Sequence, residues 1–124
     1  MAGTNLEGLR LLLVEDEYLF AFCMAELLED MGVDVLGPVA CVSDAMDLLD
    51  KAPEIDGAIL DVNLGTEVVF PVADRLLALQ IPFVFASAYD RAMLPARFRG
   101  IEVCEKPLNP DVVRRAVSRL RSAA

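Results

Sequence analysis

Leu11-Leu12-Leu13-Val14-Glu15-Asp16-Glu17 decides how this chain folds: four apolar residues in a row, then three acids. The apolar run, read from about Arg10 to Val14, shows no in/out alternation, the pattern of a strand buried on both faces. Three further runs end the same way, in polar residues. Ala58-Ile59-Leu60 meets Asp61, Phe83-Val84-Phe85-Ala86 meets Ser87, and Val103-Cys104-Glu105 meets Lys106-Pro107. If these runs are parallel strands, their carboxyl ends share one sheet edge, where open α/β folds hold ligands.

Helical spacings separate the runs. Leu19, Phe20, Cys23, Met24, Leu27, Leu28 and Met31 recur every three or four residues. That predicts a helix from about Glu17 to Met31 with this stripe in the core and Gly32 as its stop. A second strand is Asp34 to Val39; Gly37-Pro38 interrupts it, which puts it at an edge. Ser43 is read as the cap of a short helix to about Leu49, ended by Lys51-Ala52-Pro53. The third strand is Gly57 to Leu60, and a loop, Asn63 to Glu67, leads to a helix from Phe70 to Leu79 with Pro71 in its first turn. Ile81 to Ala86 is the fourth strand. Pro95 removes a helical hydrogen bond within Asp90 to Gly100, so a helix there is short or distorted. Glu102 to Glu105 is the fifth strand. Asn109 as cap, Pro110 as first residue and Asp111 open a final helix to about Arg121. Five βα units with right-handed crossovers give an α/β, doubly wound domain: a five-stranded parallel sheet in the order 2-1-3-4-5 with helices on both faces.

Composition narrows the function. The 124 residues suit one domain, and no apolar stretch approaches the roughly 18 residues of a membrane span. No secretory signal is visible in Met1-Ala2-Gly3-Thr4-Asn5, so the expected location is cytoplasmic, with no membrane partner. Cys23, Cys41 and Cys104 are odd in number and widely spaced, and are read as buried, reduced thiols. The chain has no histidine, which excludes His-based triads and the commoner zinc sites. A net charge of −9 argues against nucleic acid as a partner. The charge is uneven: residues 1–89 carry 16 acids and 3 bases, residues 90–124 carry 4 acids and 8 bases. The basic third is either a solvated face offsetting the acidic part or a docking surface for an acidic protein.

Glu15, Asp16 and Asp61 bring about three negative charges together, which demands a shared cation or a protonated carboxyl. Carboxylates, a backbone carbonyl and waters are what Mg²⁺ accepts, and the Asn63 carbonyl lies two residues beyond Asp61. Lys106 adds a fixed positive charge, Ser87 a small hydroxyl donor, and Ala88 leaves room beside them. With the metal the charges roughly cancel, so an anionic phosphoryl group is admitted. A nucleotide is disfavoured: the turn Val14-Glu15-Asp16-Glu17-Tyr18 lacks the Gly, Ser or Thr and free amides that cradle phosphates.

The acid pair Glu15-Asp16, then Asp61, Ser87 and Lys106-Pro107, in this order and spacing, resembles the receiver domain of bacterial two-component response regulators. The resemblance covers residues 9–122, with 1–8 as an N-terminal tail and no output domain, and implies a flavodoxin-like fold. It further implies that Asp61 takes a phosphoryl group from the phosphohistidine of a histidine kinase or phosphotransfer protein. Asp16, Asp61 and the Asn63 carbonyl would hold Mg²⁺ with Glu15 assisting. Lys106 would pair with the acceptor and phosphate, Ser87 would move onto the phosphoryl group as the switch, and Lys106-Pro107 would be cis. Such a stand-alone response regulator is not an enzyme beyond its own phosphoryl transfer and dephosphorylation. It signals to a downstream protein through the basic 90–124 face, by biasing a two-state equilibrium.

One departure stands out. The family's aromatic switch position, three residues before the lysine, is Val103 here. The segment Phe83-Val84-Phe85-Ala86-Ser87-Ala88-Tyr89 resembles a stand-alone subgroup carrying Phe-Ala-Thr-Gly, and offers Tyr89 as a substitute switch or as a half-buried aromatic. Three alternatives stay open: a phosphate sink for a kinase, a degenerate receiver that binds without phosphorylation, and a small Mg²⁺-dependent phosphohydrolase. The last is disfavoured because Asn63 stands where such enzymes commonly carry a second acid.

Overall fold

The opening apolar run forms β1 (Arg10–Val14), and the chain continues as α1 (Tyr18–Asp30), β2 (Asp34–Val39), α2 (Val42–Lys51) and β3 (Gly57–Asp61). Then come α3 (Phe70–Leu79), β4 (Phe83–Ser87), a single 3-10 turn (Ala96–Phe98), β5 (Val103–Glu105) and α4 (Pro110–Ala123). The computed structural model describes residues 6–51, 54–88, 94–106 and 108–123. All four strand pairings are parallel, in the order β2-β1-β3-β4-β5. This is the expected flavodoxin-like sheet, with β2 at one edge as Gly37-Pro38 required.

Strand pleating divides the core into two. Leu12, Val14, Ala58, Leu60, Phe83 and Phe85 face α2 and α3; Leu11, Leu13, Ile59, Val84, Ala86 and Cys104 face α1 and α4. Every residue of β3 and β4 is buried, hence their unbroken apolar runs. Gly37 sits at φ +104° where β2 departs from regular pairing with β1, and a Cβ there would lie 2.9 Å from the Leu13 carbonyl oxygen. Among the described residues no helix is long and apolar enough to cross a membrane.

Several expectations need correction. The stripe on α1 is narrower than its periodicity implied. Ala21, Met24 and Leu28 are buried, but Leu19 and Cys23 are exposed, as are Tyr18 and Phe22. The first two turns of the helix bury one narrow side, Phe20 and Ala21 with Met24, and leave Tyr18, Leu19, Phe22 and Cys23 to solvent. The cysteines therefore divide: Cys104 is buried, Cys41 half-buried and Cys23 exposed. Ser43 does not cap α2, which starts one residue earlier; the Val42 amide donates instead to the Glu67 carboxylate at 2.9 Å. Within the segment weakened by Pro95, the described residues form only the 3-10 turn, with Pro95 immediately before it. The cap of α4 is as read, Asn109 Oδ1 accepting from the Val112 amide at 2.9 Å. Tyr89 and the Lys106-Pro107 bond involve positions outside the described residues, as does Arg91.

The basic third is less open than its charge count suggested. Arg97 pairs with Asp74, Arg114 with Asp111 and Arg119 with Glu102, while Arg121 donates to the Glu7 carbonyl. Much of that positive charge is matched by acids rather than presented to solvent alone.

Candidate functional site

Parallel pairing delivers the polar strand ends to one edge. Val14 is level with Leu60, so Glu15 follows β1 where Asp61 completes β3. Asp61 is level with Ala86, and Ser87 with Glu105, so Ser87 closes β4 beside them. The Lys106 amide donates to the Ser87 carbonyl at 2.8 Å, which ties the start of the β5–α4 connection to the tip of β4.

The side chains converge. Glu15, Asp16 and Asp61 each place a carboxylate oxygen within 4.8 Å of the others. Glu15 and Asp61 are buried, at 3% and 6% exposure, whereas Asp16 opens to solvent. Lys106 crosses the edge from the far side: its Nζ donates to Glu15 Oε1 at 2.9 Å and lies 3.5 Å from Asp61 Oδ2. The other Glu15 oxygen accepts from the Glu17 amide at 3.1 Å. Glu15 thus holds both the lysine and the first residues leading into α1, leaving Asp16 and Asp61 as the less committed carboxylates. Ser87 is buried at 3% exposure.

Asn63 lies in the exposed loop after β3, bridged to Val68, with the Leu64 amide donating to the Glu67 carbonyl at 2.9 Å. In this loop Gly65, at φ +80°, passes close to the acids; a Cβ there would lie 3.6 Å from Asp16 Oδ2.

The electrostatics follow from crowding. Asp61 is pushed up to about 7, chiefly by burial and then by the Glu15 charge, while Lys106 pulls the other way. Burial works against the Lys106 ammonium, but its hydrogen bond to Glu15 and the charges of Asp61 and Glu15 outweigh this and hold it above the usual lysine value. One lysine does not neutralise three converging acids, so the buried aspartate is driven toward its neutral form. A hard divalent cation would relieve that charge, and the all-oxygen donor set suits Mg²⁺.

Two features escaped the sequence reading. Phe20, assigned to the core stripe, also lies with its ring centroid 4.4 Å from Lys106 Nζ. Its periodicity marks only the inner side of α1, and the lysine it meets lies 86 positions away in the chain. The Glu67 link to the α2 amide had no signal either, because it joins a loop to the start of a helix 25 positions away.

No family model matches the chain. It is similar to SdrG from Sphingomonas melonis Fr1, whose solution structure shares 40% identity and a TM-score of 0.79, covering 90% of this chain and 95% of that one. A structure of the signal receiver domain of a putative LuxO repressor protein from Vibrio parahaemolyticus has 26% identity and a TM-score of 0.78, covering 92% and 91% of the two chains. The phyllosphere-induced regulator PhyR of Methylorubrum extorquens is 26% identical over 111 residues, which is 87% of this chain and 42% of PhyR. The chain spans less than half the length of the curated relatives it matches.

Proposed function

The chain belongs to the receiver-domain family of response regulators, and on that basis we propose that it accepts a phosphoryl group on Asp61 and passes the signal on by protein contact. The observation that carries this reading is the meeting of three carboxylates within 4.8 Å, with the Lys106 ammonium 3.5 Å from the buried acceptor. Phosphoryl transfer to a carboxylate is mostly positioning and charge stabilisation, and this edge supplies both.

In the transfer, an Asp61 oxygen forms the new O–P bond as the P–N bond to the donor's imidazole breaks. Asp61 must be ionised to attack, and Lys106 favours that form. Its ammonium then pairs with the phosphoryl oxygens, and the Ser87 hydroxyl donates a further hydrogen bond to them. Mg²⁺ would be held by Asp16, Asp61 and the Asn63 carbonyl with Glu15 beside them, and when bound it neutralises the charge developing on the transferred group. SdrG has a BeF3-activated conformation, and a BeF3 group on the matching carboxylate would mimic the phosphoryl state here. A histidine kinase or phosphotransfer protein is the donor. The output surface is read on the basic 90–124 face, where Arg114, Arg115, Ser118, Arg119 and Ser122 of α4 line a shallow groove of about 300 Å³; an acidic partner there would compete with Asp111 and Glu102 for Arg114 and Arg119.

Incubation with acetyl phosphate and Mg²⁺ tests the reading. A hydroxylamine-labile adduct mapped to Asp61, lost in Asp61→Asn and absent under chelation, is expected. A protein that takes no label, or takes it equally in Asp61→Asn, contradicts the proposal.

A further inference from the structure

Resting on that reading, we propose that Phe20 is a positioning residue for Lys106: its ring caps the ammonium and keeps it over Asp61. Lys106 Nζ is enclosed by Glu15 Oε1 at 2.9 Å, Asp61 Oδ2 at 3.5 Å and the Phe20 ring centroid at 4.4 Å. The lysine side chain keeps only 20% of its surface in solvent. Phe20 is itself anchored, packing against the core between the sheet and the α1 and α4 helices. A leucine would supply an apolar side chain there; the ring adds a negative face turned toward a cation.

What the ring contributes differs from what Glu15 contributes. A carboxylate tether occupies one N–H and competes with an arriving phosphoryl oxygen for the same ammonium. An aromatic face attracts the charge without adding a negative charge of its own, so it neither binds the metal nor repels the phosphoryl group. Glu15 sets where Lys106 rests before transfer, and Phe20 limits how far it can swing when its bonds are redirected toward Asp61.

The test compares the intact chain with Phe20→Leu, Phe20→Tyr and a chain carrying a difluorinated phenylalanine at position 20. The first readout, taken without metal, is the ring-current shift of the Lys106 ε-proton NMR signals. The second is the rate of phosphoryl uptake from acetyl phosphate at saturating Mg²⁺, and the third is Mg²⁺ affinity by calorimetry. Phe20→Leu is expected to lose the ring-current shift and slow uptake by about fivefold while leaving Mg²⁺ affinity within about twofold. Phe20→Tyr restores both shift and rate. The difluorinated ring keeps its volume but has a weaker negative face, and it gives an intermediate rate even if the leucine variant fails to fold. Parental uptake in Phe20→Leu, no rescue by tyrosine, or a parallel fall in Mg²⁺ affinity overturns the proposal. If the intact chain takes no phosphoryl group, the receiver reading fails instead, and the Lys106 shift alone decides whether the ring holds the lysine.

Discussion

Lys106 and Glu15, 91 positions apart in the chain, are joined by a 2.9 Å hydrogen bond that spans the tips of β3 and β4. Glu15 is buried and has its second oxygen on the Glu17 amide, so the bond links the entry to α1 with the exit from β5. The same ammonium is the nearest cation to Asp61 among the described residues. The site's resting charge balance therefore depends on one side chain.

Replacing Lys106 by methionine keeps the stem and removes the charge. The buried Glu15 carboxylate is left without its partner, and the metal-free protein is expected to lose roughly 3 kcal/mol. Mg²⁺ affinity should rise several-fold, because a repelling positive charge has gone, while phosphoryl uptake falls. Urea unfolding and calorimetry, with and without Mg²⁺, measure all but the last. Unchanged Mg²⁺ affinity would mean that Lys106 and the cation do not share the acids.

Phe98 ends the 3-10 turn fully buried, with ring centroids 5.3 Å from Phe70 and 5.5 Å from Phe85. It anchors the β4–β5 connection to the face covered by α3. Phe98→Ala is expected to cost about 3–5 kcal/mol in urea unfolding, the usual penalty for an aromatic cavity. A cost below about 1 kcal/mol would show that the connection closes over the gap or that the ring is not enclosed.

The sheet was legible because its three central strands, β1, β3 and β4, are buried on both faces and so read as unbroken apolar runs. Its polar edge was legible for the related reason that each run stops at a polar residue when it leaves the core. Side-chain partnership was less legible. Nothing in the spacing of Phe20 separates a core aromatic from one that also faces an ammonium, since both lie on the inner side of α1. Leu19 and Cys23 were misplaced because periodicity marks a face but not how far along it the neighbouring layer extends. Ser43 was misread as a cap because Glu67, distant in sequence, supplies the acceptor that Val42 needs.

The cysteines give a further test, since thiolate fraction and access both control alkylation. Burial, and then the Glu102 charge, push the Cys104 thiol above its ordinary value, whereas Cys23 is exposed on α1. Iodoacetamide should modify Cys23 first and Cys104 only after unfolding, as mapped by peptide mass. Early modification of Cys104 in native protein would contradict the packing of β5 against α4.

Asp61 gives the pH prediction, and its sign is opposite to that of most carboxylates. In the folded, metal-free chain it titrates at about 7, against about 3.9 when unfolded, because burial and Glu15 disfavour its charge. Below about pH 4 the group is neutral in both states and its contribution to stability is fully present. As pH rises toward 7 the unfolded chain releases this proton first, so native stability falls, and it levels off above the folded value. Asp61→Asn has no such proton, so its stability relative to the parent should grow across this window, on the order of a few kcal/mol. Mg²⁺ competes for the same oxygens, so its affinity for the parent should rise by about tenfold per pH unit until about pH 7. In Asp61→Asn that dependence should flatten. Denaturation and calorimetry from pH 4 to 8 measure both effects; a parent whose Mg²⁺ affinity ignores pH in that range would remove Asp61 from the cation's ligands.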